Sequence, residues 1–401
     1  MKKTNKQLNE IIKDYDNYVL KTYTRKPYVF IRGKGSWLET IDHKKILDFF
    51  PGWGVSNFGH CHPMVVKAIC EQAKKIIHMA NVFYMPDQAY VAKEIVKSAF
   101  PGKVFFSNSG AEAVECAIKT AKAWGNTLSK NEFISFEKSF HGRTIGALTL
   151  TGQEKYRSPF GPLMPNVQYA KYNDIDSVRS LINKNTAAVI LELVQGEGGV
   201  RLADKNFVKE IARLAKEKKF LLIFDEVQTG FGRTGKMFAF QNYGVKPDIL
   251  CMGKSIAGGV AMGATLLAEN IEGILLPGMH ASTYGGNYIA CAGAKAVMEL
   301  IKKEKVLEKM KESEKIFHNF FLNLSVKYKE IISYRHLGLM FGIEMEGEFA
   351  SKIADMALTE GLIINCTAGN VLRIMPALNI SKNDILKGLK IIEKVFKNVL
   401  Q

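Results

Sequence analysis

An α/β fold built on a mostly parallel sheet is predicted by three features of this 401-residue sequence. Short, wholly apolar runs alternate with helix-patterned stretches through the middle of the chain. Those runs show no polar alternation, so both faces of each strand must be covered, as in parallel sheets flanked by helices. The two chain ends break the alternation, and the length itself suggests more than one domain.

In chain order, the opening MKKTNKQLNEIIKDYDNYVL has a basic tip with no apolar core behind it, so no signal peptide and a cytoplasmic location are expected. Residues Tyr28–Ile31 and Ser36–Thr40, split by Gly33-Lys34-Gly35, read as a hairpin leading into Ile46–Phe50. Val104–Ser107, Glu132–Phe136, Ala187–Leu193, Phe220–Phe224 and Asp248–Met252 read as buried strands, with helices over Ala111–Trp124 and Asn206–Lys218 between them. A long amphipathic helix is expected over Asn287–Ser313, then strand-like Met340–Met345 and Leu372–Ile374. The expected organisation is an N-terminal segment, 1–55, joining a smaller α+β domain, a large domain over 56–285, and the rest of the small domain over 286–401.

Lys and Arg number 55 against 39 Asp and Glu, a formal charge of +16. Such a balance invites a nucleic-acid or anionic-membrane partner. The basic residues are spread thinly, however, with acids interleaved, as in KKEKVLEKMKESEK from Lys302 to Lys315. A Lys-rich solvated surface is the better reading, with neither nucleic acid nor membrane as partner. No apolar stretch approaches the ~18 residues of a membrane span. The six cysteines form no C-x-x-C pair and read as reduced, mostly buried thiols.

Three segments carry chemistry. VFFSNSGAEAVECAIKTAKAW is a strand, a small-residue turn and a helix. Its free N–H groups suit a phosphate, whereas Ser109 and Glu112 suit an ordinary capping box, the commoner reading of such a segment taken alone. Gly253-Lys254-Ser255 imitates the tail of a nucleotide P-loop, but the required upstream glycine is Asp248. Lys254 is left just past a buried strand among small residues that leave room for a ligand. FLLIFDEVQTGFGRTG ends a strand on Asp225, which reads as a turn former or as a partner for a cationic ring nitrogen or a metal. Alternation sends Asp225 and Glu226 to opposite faces and splits the triplet His60-Cys61-His62 as well, and no third and fourth ligand suggest themselves, so no metal is expected.

Ten blocks in order complete the pattern: LDFFPGWGVSNFGHCHP, FFSNSGAEAVECAIKTAK, SFHGRTIGALTLTG, LELVQGEGGV, LLIFDEVQTGFGRTG, DILCMGKSIAGG, GATL, HASTYGGNYIACA, GLMFGIEM and VLRIMPAL. Along nearly its whole length the chain resembles the class III, fold-type-I pyridoxal-phosphate aminotransferases, and within them the acetylornithine aminotransferase group. The resemblance implies a large domain with a mostly parallel seven-stranded sheet between helices. It implies pyridoxal 5'-phosphate as cofactor, Lys254 as the lysine that carries it, and Asp225 as the partner of its ring nitrogen. It places Phe140 and Val227 on the two ring faces and Gln228 at the ring hydroxyl. Ser109, Gly110 and Ala111 match the phosphate cradle, where much of the family has threonine in place of Ala111. Thr283, to the phosphate, and Ser282, near the substrate, match a pair supplied by the neighbouring subunit of a homodimer.

For substrate, Arg143 matches the clamp on an α-carboxylate and Arg373 the receiver of a carboxylate of glutamate or 2-oxoglutarate. Glu197 matches the acid that pairs with Arg373 when the other substrate is present. Trp53 falls in a block that lines the substrate pocket, although a buried core position is the alternative. The implied reaction moves the terminal amine of N2-acetyl-L-ornithine to 2-oxoglutarate, in arginine biosynthesis. Ornithine, 4-aminobutyrate and succinylornithine are the alternative donors within the family.

Overall fold

The computed structural model describes residues 2–401. Its centre is a seven-stranded sheet in the spatial order Gly102–Ser107, Gly263–Ala268, Ile249–Met252, Leu221–Asp225, Thr186–Leu191, Glu132–Phe136, Val167–Ala170. Every pairing is parallel except the two made by Gly263–Ala268. Every residue of Thr186–Leu191 and Leu221–Asp225 is buried, as strands covered by helices on both faces must be. The mostly parallel α/β sheet expected from the sequence is therefore present.

Local differences have local causes. The run expected over 187–193 stops at Leu191, and Val194–Gln195 turns away to pair with Arg201–Leu202. The strands Val167–Ala170 and Gly263–Ala268 were not anticipated. The first is a four-residue, half-buried edge strand with no continuous apolar run. The single helix expected over Asn287–Ser313 is two helices, Tyr288–Lys303 and Val306–Lys327. The Asn287 side chain caps the first by accepting from Ala290 N–H. Lys305 then takes a left-handed conformation, φ 50°, which interrupts the helix although the polar pattern runs through it.

The chain ends share structure. Leu362–Ile363 pairs in parallel with the N-terminal strand Lys45–Asp48, extending the expected hairpin, here Phe30–Lys34 and Trp37–Thr40. An antiparallel sheet, Ile331–Leu337, Met340–Met345, Val371–Ile374 and Asn365–Thr367, lies beside it. The apolar interior divides accordingly. One cluster surrounds the central sheet, and a second joins Leu47 and Phe49 to Phe317, Phe341, Leu389 and Phe396. The cysteines are all unpaired. Cys116, Cys251 and Cys291 are buried as expected, but Cys61 and Cys70 are exposed.

Candidate active site

Parallel strands bring their carboxyl ends to one edge of the sheet, and ligands bind outside that edge. Here the edge carries Ser107, Phe136, Leu191, Asp225 and Met252, each followed within a few residues by an expected site residue.

After Ser107 comes the cradle. Ser109 is extended, φ −150° and ψ 164°, and its Oγ accepts the Glu112 N–H at 3.2 Å, while Glu112 accepts from the backbone N–H of Asn108. The cap is real, yet it leaves the N–H groups of Gly110 and Ala111 without acceptors in the helix, pointing outward with the positive end of its dipole. A side chain at Gly110 would come within 2.5 Å of Val227 Cγ1, so glycine lets Val227 pack directly against the helix start.

Asp225 is buried at the end of its strand. Its Oδ1 accepts from Val227 N–H at 3.0 Å, and its Oδ2 lies 2.7 Å from His141 Nδ1. Glu226 points the other way and accepts from Ala239 and Phe240 N–H at 2.6 and 2.8 Å, as strand alternation requires. His60 and His62 contact different partners, Asp48 and Glu304 respectively.

Lys254 follows Met252 with φ 46°, at the start of a short 3-10 turn. Burial lowers its amine to about 8, opposed by the nearby carboxylates of Glu197, Asp225 and Glu192 and reinforced by Arg373. Glu192 is itself pushed well above the carboxylate range, by burial and then by Asp225. It accepts from Phe140 N–H at 2.9 Å and thereby fixes the backbone of the half-buried Phe140.

Arg373 is fully buried and forms a 2.7 Å ion pair with Glu197. Burial alone would raise the Glu197 carboxyl, but Arg373, Lys254 and Arg143 outweigh it and hold it below its ordinary value. Arg143 itself is exposed, its guanidinium 4.1 Å from the Tyr156 ring and 5.4 Å from Phe140. Trp53 is half exposed with φ 58°, so it is not a core tryptophan; its ring meets Phe50 edge-on at 5.8 Å. Ser282 Oγ accepts from Asn108 Nδ2 of its own chain at 3.2 Å, beside the cradle, and Thr283 is exposed.

These residues suit pyridoxal 5'-phosphate. Gln228 is buried and donates to the Trp53 carbonyl at 3.2 Å, but its Oε1 has no partner. His141 Nε2 is also buried and unpartnered. Two orphaned buried polar atoms, a cradle of free N–H groups and a partly deprotonated lysine on one sheet edge fit a phosphorylated aromatic aldehyde. Sequence reasoning overlooked His141, Glu192 and Asn365, which accepts from Arg373. His141 adjoins Phe140 and Glu192 shares a block with Glu197, but only folding shows that they reach the site.

The family model described as Aminotransferase class-III matches residues 18–396. The acetylornithine aminotransferase of Aquifex aeolicus is 43% identical over 383 residues, 94% of this chain and 99% of that one. The structure of acetylornithine aminotransferase from Elizabethkingia anophelis aligns with a TM-score of 0.86 at 31% identity, covering 98% of this chain and 99% of that one. Ornithine aminotransferase from Toxoplasma gondii, described with partial occupancy of PLP at its active site, gives 0.92 at 29% identity, over 98% and 94% of the two chains.

Proposed function

The chain belongs to the class III aminotransferases, and from that premise we propose that it transfers the terminal amine of N2-acetyl-L-ornithine to 2-oxoglutarate, giving N-acetylglutamate semialdehyde and glutamate. It is a pyridoxal-phosphate-dependent transaminase. The observation that carries the substrate reading is the 2.7 Å Glu197–Arg373 pair among the charged neighbours of Lys254. A dicarboxylate needs the arginine free, whereas an ω-amine donor that brings no carboxylate there needs it masked.

Pyridoxal phosphate, when bound, supplies the carbonyl that takes the amine and the ring that absorbs electrons as a proton leaves carbon. Lys254 would carry the cofactor, and its Nζ would take the proton from the amine-bearing carbon and return one. Asp225, oriented by His141 and Val227 N–H, would hold the ring nitrogen protonated. Phe140 and Val227 would cover the ring, the unpartnered Gln228 Oε1 would accept from its hydroxyl, and Ser109, Gly110 and Ala111 would hold the phosphate. Arg143 receives the donor's α-carboxylate with a planar fork. Half-exposed and edge-on to Phe50, Trp53 is a candidate lining residue of the substrate pocket.

The same reading makes the protein a cytoplasmic homodimer serving arginine biosynthesis, with 1–55 and 286–401 forming one domain against 56–285. Support for the dimer is a surface hollow lined by Phe105, Ser282 and Thr283, and the exposed apolar side chains of Val82, Phe83, Tyr84 and Tyr284. Thr283 and Ser282 would meet the partner's site there.

The deciding experiment measures kcat/KM for acetylornithine, ornithine, 4-aminobutyrate and succinylornithine with 2-oxoglutarate as acceptor. Acetylornithine should lead; a higher value for any other donor overturns the substrate assignment.

A further inference from the structure

Arg373 is held by more than Glu197. Its Nη1 meets Glu197 Oε1 at 2.7 Å, but its Nε and Nη2 both donate to Asn365 Oδ1, at 3.1 and 2.9 Å. The guanidinium also lies 4.7 Å from the Phe50 ring centre. The two anchors differ in kind. Asn365 is the direct cross-strand partner of Arg373 in the antiparallel pair Asn365–Thr367 with Val371–Ile374, so sheet register sets its position. Glu197 sits in a connection between short strands and reaches the arginine through one bond.

The backbone around Glu197 is nonetheless pinned. Thr367 Oγ1 donates to the Glu197 carbonyl at 3.1 Å, and Arg335 Nε donates to the carbonyls of Gly199 and Val200 at 3.1 and 3.0 Å. Glu344, 2.7 Å from Arg335 Nη1, fixes that clamp in turn. With the main chain tied on both sides, the freedom left to Glu197 is rotation of its side chain.

We propose that Asn365 is a specificity-determining positioning residue, a neutral anchor that keeps Arg373 in place while its charge is handed from Glu197 to a substrate carboxylate. The idea rests on the two-substrate reading above. A guanidinium has five N–H donors and one positive charge. Asn365 occupies donors on one side without neutralising that charge, so one carboxylate at a time is balanced on the other side. A carboxylate at position 365, directly across the strand pair from Arg373, would add a second negative charge beside Glu197, so the arginine would stay neutralised when Glu197 rotates away. A dicarboxylate would then meet an arginine already neutralised.

The test uses the cofactor-loaded enzyme and follows each half-reaction separately through the cofactor absorbance, with glutamate or acetylornithine as donor. For Asn365→Asp, kcat/KM for glutamate should fall about tenfold or more, chiefly through KM, while the acetylornithine half-reaction changes less than about threefold. Glutarate, a non-reacting dicarboxylate, should raise the Tm of the wild type and lose that effect in the variant. If the aspartate variant fails to fold, Asn365→Ala carries the test, with a smaller loss expected in the same half-reaction alone. Equal losses in both half-reactions, or none in either, overturn the proposal. A wild-type enzyme that does not react with glutamate at all would instead overturn the two-substrate reading.

Discussion

Lys254 owes its chemistry to where it is buried. An amine lowered to about 8 is mostly charged at pH 7 and mostly neutral at pH 9, whereas an ordinary lysine is charged at both. The neutral form attacks an aldehyde, so capture of pyridoxal phosphate by the cofactor-free protein should speed up about tenfold per pH unit below 8 and level off above it. A rise continuing towards 10.5, read by stopped-flow absorbance, would show that burial does not act on this amine. Lys254→Ala should abolish covalent attachment. At Asp225, replacement by asparagine removes the charge but keeps an acceptor for Val227 N–H, so kcat should fall on the order of a hundredfold with little change in Tm. Asp225 was legible in the sequence because it follows directly on an apolar run, and Lys254 because it sits just past one, whereas Gln228 was implied only by the family resemblance. His141 was not legible, since its role depends on a 2.7 Å contact with a residue 84 positions away.

At the scale of elements, polar pattern and backbone strain disagree at Lys305. The mixed-charge stretch reads as one helix, but Lys305 adopts φ 50°, which costs a side-chain-bearing residue roughly 1–2 kcal/mol. Lys305→Gly should therefore keep or slightly raise stability, and Lys305→Val should lower it by about 1 kcal/mol or more in urea unfolding. Equal midpoints for the two variants would mean that the break is not strained. On the C-terminal helix Lys382–Leu400, a Cβ at Gly388 would overlap the Phe49 ring. Gly388→Ala should destabilise by about 1–3 kcal/mol despite its better helix propensity. The parallel strands were legible because burial on both faces leaves them uniformly apolar; the half-buried strand Val167–Ala170 carries no such mark.

At the scale of the whole molecule, Arg233 ties the two apolar clusters together. Fully buried, it donates from Nη1 to the carbonyls of Leu339 and Pro376, at 2.9 and 2.7 Å, and from Nη2 to Asn57 Oδ1 at 2.5 Å. Leu339 and Pro376 lie in the C-terminal third and Asn57 precedes the first strand of the central sheet, so one side chain ties the C-terminal third to the central part of the chain. Arg233→Ala would orphan all of them and should cost about 3 kcal/mol or more, with loss of soluble yield. A shared dimer site predicts complementation: Lys254→Ala and Thr283→Glu, each impaired alone, should recover about a quarter of wild-type activity after mixing and refolding. No recovery would place Thr283 in its own chain's site. The charge of +16 needs no macromolecular partner under this reading, since the anions to be met are a phosphate and substrate carboxylates.

Local physics is written directly in the residues: apolar runs specify covered strands, glycines permit close approach, and a lysine or aspartate after a strand falls at the binding edge. The sequence by itself therefore determined five of the seven sheet strands, the turn and helix start after Ser107, and the positions of Lys254 and Asp225. The tertiary structure alone decided the contacts between distant segments, from His141 against Asp225 to Asn365 behind Arg373. Such pairs depend on strand register and on burial that strips away water. Those conditions arise only when the whole chain has folded, so no periodicity along the chain encodes them.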